Sequence, residues 1–189
     1  MDPDPDSRFV SRAREGDLGA FEVLVERHRD VVYRVAARVI GEDAAEDATQ
    51  DALLRAFHRL DDFRGEGSFR AWLLQIAHNS ALTYASRSAG DVVPLSEIEE
   101  APAGGVRTPA DEIEAGERRR RLGVKVRGLS PQHRTVLVLR DIEGFSYDEI
   151  SEVTESPLGS VKARLHRARG ELIDLLRRNT YDWELPGER

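Results

Sequence analysis

Residues 129–150 read LSPQHRTVLVLRDIEGFSYDEI, and residues 156–178 read SPLGSVKARLHRARGELIDLLRR. In the first stretch Ser130-Pro131 marks a helix start. The serine is placed to cap, and the proline takes the first helical position, where its missing N–H costs nothing. Val136, Leu137, Leu139 and Arg140 follow, and Gly144 closes that helix. Ser146 and Glu149 have the spacing of a capping box, in which the serine hydroxyl accepts from the Glu149 N–H while the carboxylate reaches back. A short helix to about Thr154 is therefore expected. Ser156-Pro157 repeats the cap-and-proline signal and opens a longer helix. There Leu158, Val161, Leu165, Ala168 and Leu172 keep a three-four-three-four spacing that predicts a buried stripe.

The opposite face of that helix presents Ser160, Lys162, Ala163, His166, Arg167 and Arg169. From Pro157 to Arg178 six Lys and Arg stand against two acids, a local net of +4 in a chain whose net charge is −7. A short helix, a tight turn and a longer basic helix form the geometry that lays side chains along major-groove base edges while flanking arginines hold phosphates. The plainer alternative is a helical hairpin with a basic surface. Caps, stripe and basic face agree better on a DNA-reading helix-turn-helix.

Working outward, Leu18, Phe21, Leu24, Val25, His28, Val32, Val35, Ala36 and Val39 recur every three or four positions, which predicts one buried helical face ended by Gly41. A second helix is expected over about Ala44 to Leu60 and a third over about Ser68 to Arg87. Between them lies the polar loop Asp61 to Gly67, with two glycines. No strand-like alternation of useful length appears, so the fold class is all-α: two small helical domains, the C-terminal one a helix-turn-helix. From Ser88 to about Asp111 the periodicity fails among Gly90, Pro94, Pro102, Gly104, Gly105 and Pro109, as in a flexible linker. Helical pattern resumes near Glu112. The run Arg118 to Arg121 wraps around a helix and reads more readily as solvated surface than as a nucleic-acid site.

Composition sets the bounds. The chain has 189 residues, 40% hydrophobic and 33% charged, the balance of a folded soluble protein. It has no cysteine, which excludes disulfides, thiolate metal sites and cysteine nucleophiles. The acidic, proline-rich start is unlike a signal peptide and no run of eighteen apolar residues occurs, so a cytoplasmic protein without membrane insertion is expected. The five histidines fall in no metal-ligand spacing, and neither a Ser-His-Asp set nor a phosphate-binding glycine loop is present. Neither cofactor nor metal nor catalytic residue is expected. The net charge of −7 argues mildly against autonomous nucleic-acid binding.

The two stretches quoted at the outset closely resemble region four of extracytoplasmic-function (ECF) sigma factors. The N-terminal half resembles their region two through Glu46 to Asp51, Phe63 to Leu73 and Ile76 to Asn79. The resemblance implies residues 9–88 as region two, a linker over 89–111 and region four over 112–178, with a disordered N-terminus (1–8) and a tail (179–189). It implies three partners: core RNA polymerase, promoter DNA and an anti-sigma protein that holds the factor inactive. Region four would read the upstream (−35) element, with Lys162, Ala163, His166 and Arg167 toward bases and Ser160 and Arg164 toward phosphates. Region two would melt and read the downstream (−10) element.

Strand opening needs a pocket that captures an unstacked base. Phe63, Arg64, Gly65, Glu66, Ser68, Asn79 and Arg87 are the candidates, with Trp72 better read as core. Asn79 suits a Watson–Crick edge because its amide donates and accepts. On the acidic second helix, Asp47, Gln50, Asp51, Leu54 and Arg55 are the implied polymerase contacts. This chain departs from the family where Ser80 to Ser88 offer only Arg87 as a base. An autonomous regulator using the same helix-turn-helix is the competing reading; the two-module resemblance and the acidic docking helix favour the sigma factor.

Overall fold

The computed structural model describes residues 4–65, 67–87, 116, 118 and 121–178, and no strand occurs among them. Helix α1 (Ser7–Arg14) leads into α2 (Leu18–Ile40), which Asp17 caps by accepting from the Ala20 N–H and which Gly41 ends at φ 98°. Helix α3 (Glu42–His58) follows at once and ends in a 3-10 turn, Leu60–Asp62. Helix α4 (Phe69–Arg87) starts where Ser68 Oγ accepts from the Ala71 N–H at 3.1 Å. After a helical stretch over 121–127, α5 (Pro131–Leu137) is capped by Ser130 and widens into a π-helical turn, Val138–Ile142. Helices α6 (Tyr147–Val153) and α7 (Leu158–Arg177) are the last elements among the described residues.

Alanines decide how α3 lies. Ala44, Ala45, Ala52 and Ala56 are nearly inaccessible, and side chains this small let α3 approach α2 closely. Leu24, Val32, Val35 and Val39 of α2 meet Leu73, Leu74 and Ala77 of α4 in the same interior. In the C-terminal half Val136, Leu139, Phe145 and Ile150 pack on Val161, Leu165 and Ala168 of α7. These two interiors form one buried cluster, because α6 lies on α4 and α5 on α2.

Several local expectations need correction. Disorder over residues 1–8 does not hold for residues 4–8: Ser7 and Arg8 are helical and Asp6 is buried. Helix α3 begins two residues before the expected Ala44 and stops at His58. The Glu149 capping box forms as expected, but Ser156 does not cap α7. Its hydroxyl donates instead to the Thr154 carbonyl, and Leu158 at the head of the predicted stripe is exposed. The expected linker 89–111, the tail 179–189 and Glu66 lie outside the described residues.

Candidate nucleic-acid interface

Helix α7 presents the first surface. Val161, Leu165 and Ala168 face inward, which by helical periodicity turns Ser160, Lys162, Ala163, His166 and Arg167 to solvent, and all five are exposed. The turn that aims this face is fastened locally. Ser151 Oγ donates to the Ser156 carbonyl at 2.6 Å, Arg164 Nη1 donates to Ser156 Oγ at 3.2 Å, and Glu155 takes φ 47°. Arg169, which the sequence puts on the same basic face, is held by Asp141 through two hydrogen bonds of 2.5 and 2.9 Å. It braces the helix against the π-helical turn. Arg164 is half-buried and Lys162 sits 5.6 Å from the Tyr147 ring centre, so both flank a reading edge formed by Ala163, His166 and Arg167.

The second surface lies along α4 and the loop before it. Arg64 and Gly65 are exposed, Ser68 is half-buried and engaged as the α4 cap, and Asn79 is exposed on the helix. Phe63 departs from expectation. It is 6% exposed and packs edge-on against Phe69 and beside Trp72, so it walls the interior rather than offering a face to a base. Trp72 belongs to that aromatic group, in line with its reading as core. Arg87 is the last residue of α4, and its side chain lies outside what is described.

The C-terminal half covers this second surface. Asn79 Nδ2 donates to Glu155 Oε1 at 3.3 Å, and a Cβ at Gly67 would stand 2.7 Å from Glu152 Oε2, so a larger residue there would make the Glu152 carboxylate swing aside. Partial burial there, then Glu149 and Asp148, push the Glu152 carboxyl above its usual range. The Arg70 guanidinium stacks 3.8 Å from the Phe145 ring centre. Deeper in, Glu143 is clasped by Arg38 at 2.5 Å and Arg34 at 3.1 Å, with Glu143 and Arg38 almost wholly buried. Arg134 reaches from α5 to the Val39 carbonyl at the end of α2 and to the carbonyls of Arg127 and Leu129. His78 is enclosed with Thr135 Oγ1 at 3.5 Å. Burial first, then the Arg164 charge, lower its pKa to about 4, against an opposing pull from Glu155. In this closed arrangement the α7 face is open and the α4 face is overlaid by acidic side chains.

A third surface runs along α3. Asp47, Gln50, Leu54 and Arg55 are exposed and Asp51 half-buried, all on one helical side, with an Asp51–Arg55 ion pair of 2.8 Å. Leu54 is 61% exposed. Sequence reasoning missed the continuation of this side in Phe57, one turn on and 40% exposed, whose ring meets Phe21 edge-on at 5.0 Å. The signal was present, since Phe57 follows Leu54 at the three-residue step of one helix face.

Comparison with known proteins gives the following. Residues 24–90 match the family model for Sigma-70 region 2 and residues 119–172 that for Sigma-70 region 4. The ECF RNA polymerase sigma-E factor of Haemophilus influenzae is 31% identical over 177 residues, covering 89% of this chain and 93% of that protein. Its counterpart in Escherichia coli is 32% identical, covering 89% and 92%. Among solved structures, CnrH in complex with the cytosolic domain of CnrY matches with a TM-score of 0.68 and 30% identity over 94% of this chain and all of that one. The sigma factor RpoE of Bartonella quintana, solved with the anti-sigma factor NepR, shares the fold at a TM-score of 0.61 and 24% identity, over 84% of this chain and 98% of that one.

Proposed function

The chain belongs to the ECF sigma factor family, and from that premise we propose that it binds core RNA polymerase in the cytoplasm and directs promoter-specific initiation, the polymerase performing the chemistry. Residues 9–88 serve as region two and 112–178 as region four, joined by the linker 89–111. The observation that carries this reading is the division of labour between two surfaces. A basic, exposed edge on α7 suits duplex DNA, while an acidic side of α3 with Leu54 exposed suits a protein and repels phosphate. Asp47, Gln50, Asp51, Leu54 and Arg55 are assigned to polymerase. Ser160, Lys162, Ala163, Arg164, His166 and Arg167 are assigned to the upstream element, and Arg64, Gly65, Ser68 and Asn79 to the downstream one. The partner that keeps the protein inactive is an anti-sigma protein gripping the closed arrangement, as suits a fold whose α4 face is already covered.

Reconstitution tests this. Purified protein added to core polymerase should yield promoter-specific transcripts. Tight promoter binding by the protein alone, with no initiation in the presence of core, would replace this reading by that of an autonomous regulator. Within the holoenzyme, Arg167→Ala should weaken upstream-element binding by about 1–3 kcal/mol, the worth of one good base contact, and leave core binding intact. Loss of core binding instead would mean that this face is misassigned. Asn79→Ala should slow open-complex formation while upstream binding is unchanged; wild-type opening by that variant would remove Asn79 from the base pocket.

A further inference from the structure

The segment Asp4–Arg14 grips the chain on both sides of the loop Phe63–Ser68. In the 3-10 turn before the loop Arg14 donates from Nε to the Leu60 carbonyl at 3.2 Å and from Nη2 to the Asp61 carbonyl at 2.6 Å. At the loop's end Asp4 Oδ2 accepts from the Phe69 N–H at 2.7 Å, capping α4 from 65 residues away. The segment is itself fixed between these grips. Asp4 Oδ1 accepts from the Asp6 N–H at 3.2 Å, and the buried Asp6 carboxylate takes Arg27 Nη1 at 2.9 Å and His28 Nε2 at 2.6 Å. The His28 ring in turn lies 5.7 Å from the Phe69 ring, which bears on Phe63 and Trp72.

We propose that this N-terminal segment is a brace for downstream-element recognition, with Asp4, Asp6 and Arg14 as positioning residues that fix the chain on either side of the loop carrying Arg64 and Gly65. The family match for region two begins at residue 24, so it assigns nothing to this segment. The physical need is plain. A six-residue loop with two glycines loses conformational entropy when it closes on a base, and fixing both ends beforehand lowers that cost. The grips are charge-assisted, which makes them the stronger class of hydrogen bond. None of the three residues is required to touch DNA.

The inference rests on the proposed function, and the experiment separates the two. Holoenzymes carrying wild-type protein, Asp4→Ala, Asp4→Asn or Arg14→Ala are compared for binding of a single-stranded oligonucleotide bearing the downstream element. Binding of upstream-element duplex and of core polymerase is measured in parallel. Asp4→Ala and Arg14→Ala are each expected to lower single-strand affinity about tenfold, the effect of one lost charge-assisted hydrogen bond, and to leave the other two affinities unchanged. Asp4→Asn keeps an acceptor for the Phe69 N–H and should recover most of the loss. Wild-type single-strand binding by both alanine variants would overturn the proposal. So would a fall in all three affinities together, or failure of asparagine to rescue. If wild-type holoenzyme initiates nothing, the proposed function fails first.

Discussion

Glu143→Ala is expected to open the packed halves and to enlarge the radius of gyration of the free chain in small-angle scattering. The Glu143 carboxylate is 6% exposed and is held by Arg38, whose side chain is 9% exposed, and by the half-exposed Arg34. Breaking a buried pair by removing one partner costs about 3–5 kcal/mol, and the solvated Arg34 brings the figure toward the lower end. Only the closed arrangement bears that cost. Once the halves separate, both arginines regain water and neither needs the carboxylate. A bias of about 3 kcal/mol multiplies the open population by more than a hundred.

Opening releases the Asn79 amide from Glu155 and takes Glu152 away from Gly67, so the free variant should also bind single-stranded downstream element more tightly than wild type does. Glu143→Gln, which keeps an acceptor and loses the charge, should fall between. Scattering curves identical for the variant and wild type would show that the apolar contacts of α4 with α6 suffice to hold the closed form.

What could be read from the sequence follows sequence separation. The helix-turn-helix is legible because its signals are local: Ser146 and Glu149 stand three residues apart, and the stripe Val161, Leu165, Ala168 repeats within one helix. The exposed α7 edge follows from that stripe by geometry alone. Helices α2, α3 and α4 are legible for the same reason, whereas α1 was not expected.

The features that were missed depend on distant partners. Asp4 and Asp6 look like solvated acids in a proline-rich start until the fold brings the α4 N-terminus and the Arg27–His28 pair against them. Phe63 sits in a polar, glycine-containing loop, yet burying its ring among Phe69 and Trp72 gains more than exposure to a base would in the free protein. Glu143 is one acid among many by composition. Its importance comes from two arginines more than a hundred residues earlier, which no periodicity connects to it.

Mild acidification should also open the halves, and His78 sets the window. Its pKa drops from 6.5 to about 4 in the closed form, chiefly through burial, and the charges that act on it, Arg164 and Glu155, both come from the C-terminal half. Opening returns the ring toward its ordinary value. A base whose pKa is lowered in the closed state leaves that state fully stable above pH 6.5 and erodes it as pH falls toward 4. The whole gap is worth about 3 kcal/mol, reached only at the acid end.

Other groups face the same seam. Thr135 does not titrate. Glu152 works in the opposite sense only through its burial, which raises its pKa and makes protonation favour the closed form; the Glu149 and Asp148 charges that also raise it lie on its own helix and persist on opening. The clearest reading therefore lies between pH 6.5 and 5.5, where His78 changes most relative to the carboxyls. Scattering across that range should show expansion in wild type and none in His78→Gln, which cannot charge. Equal expansion in both proteins would move the pH sensitivity from His78 to the carboxylates of the seam.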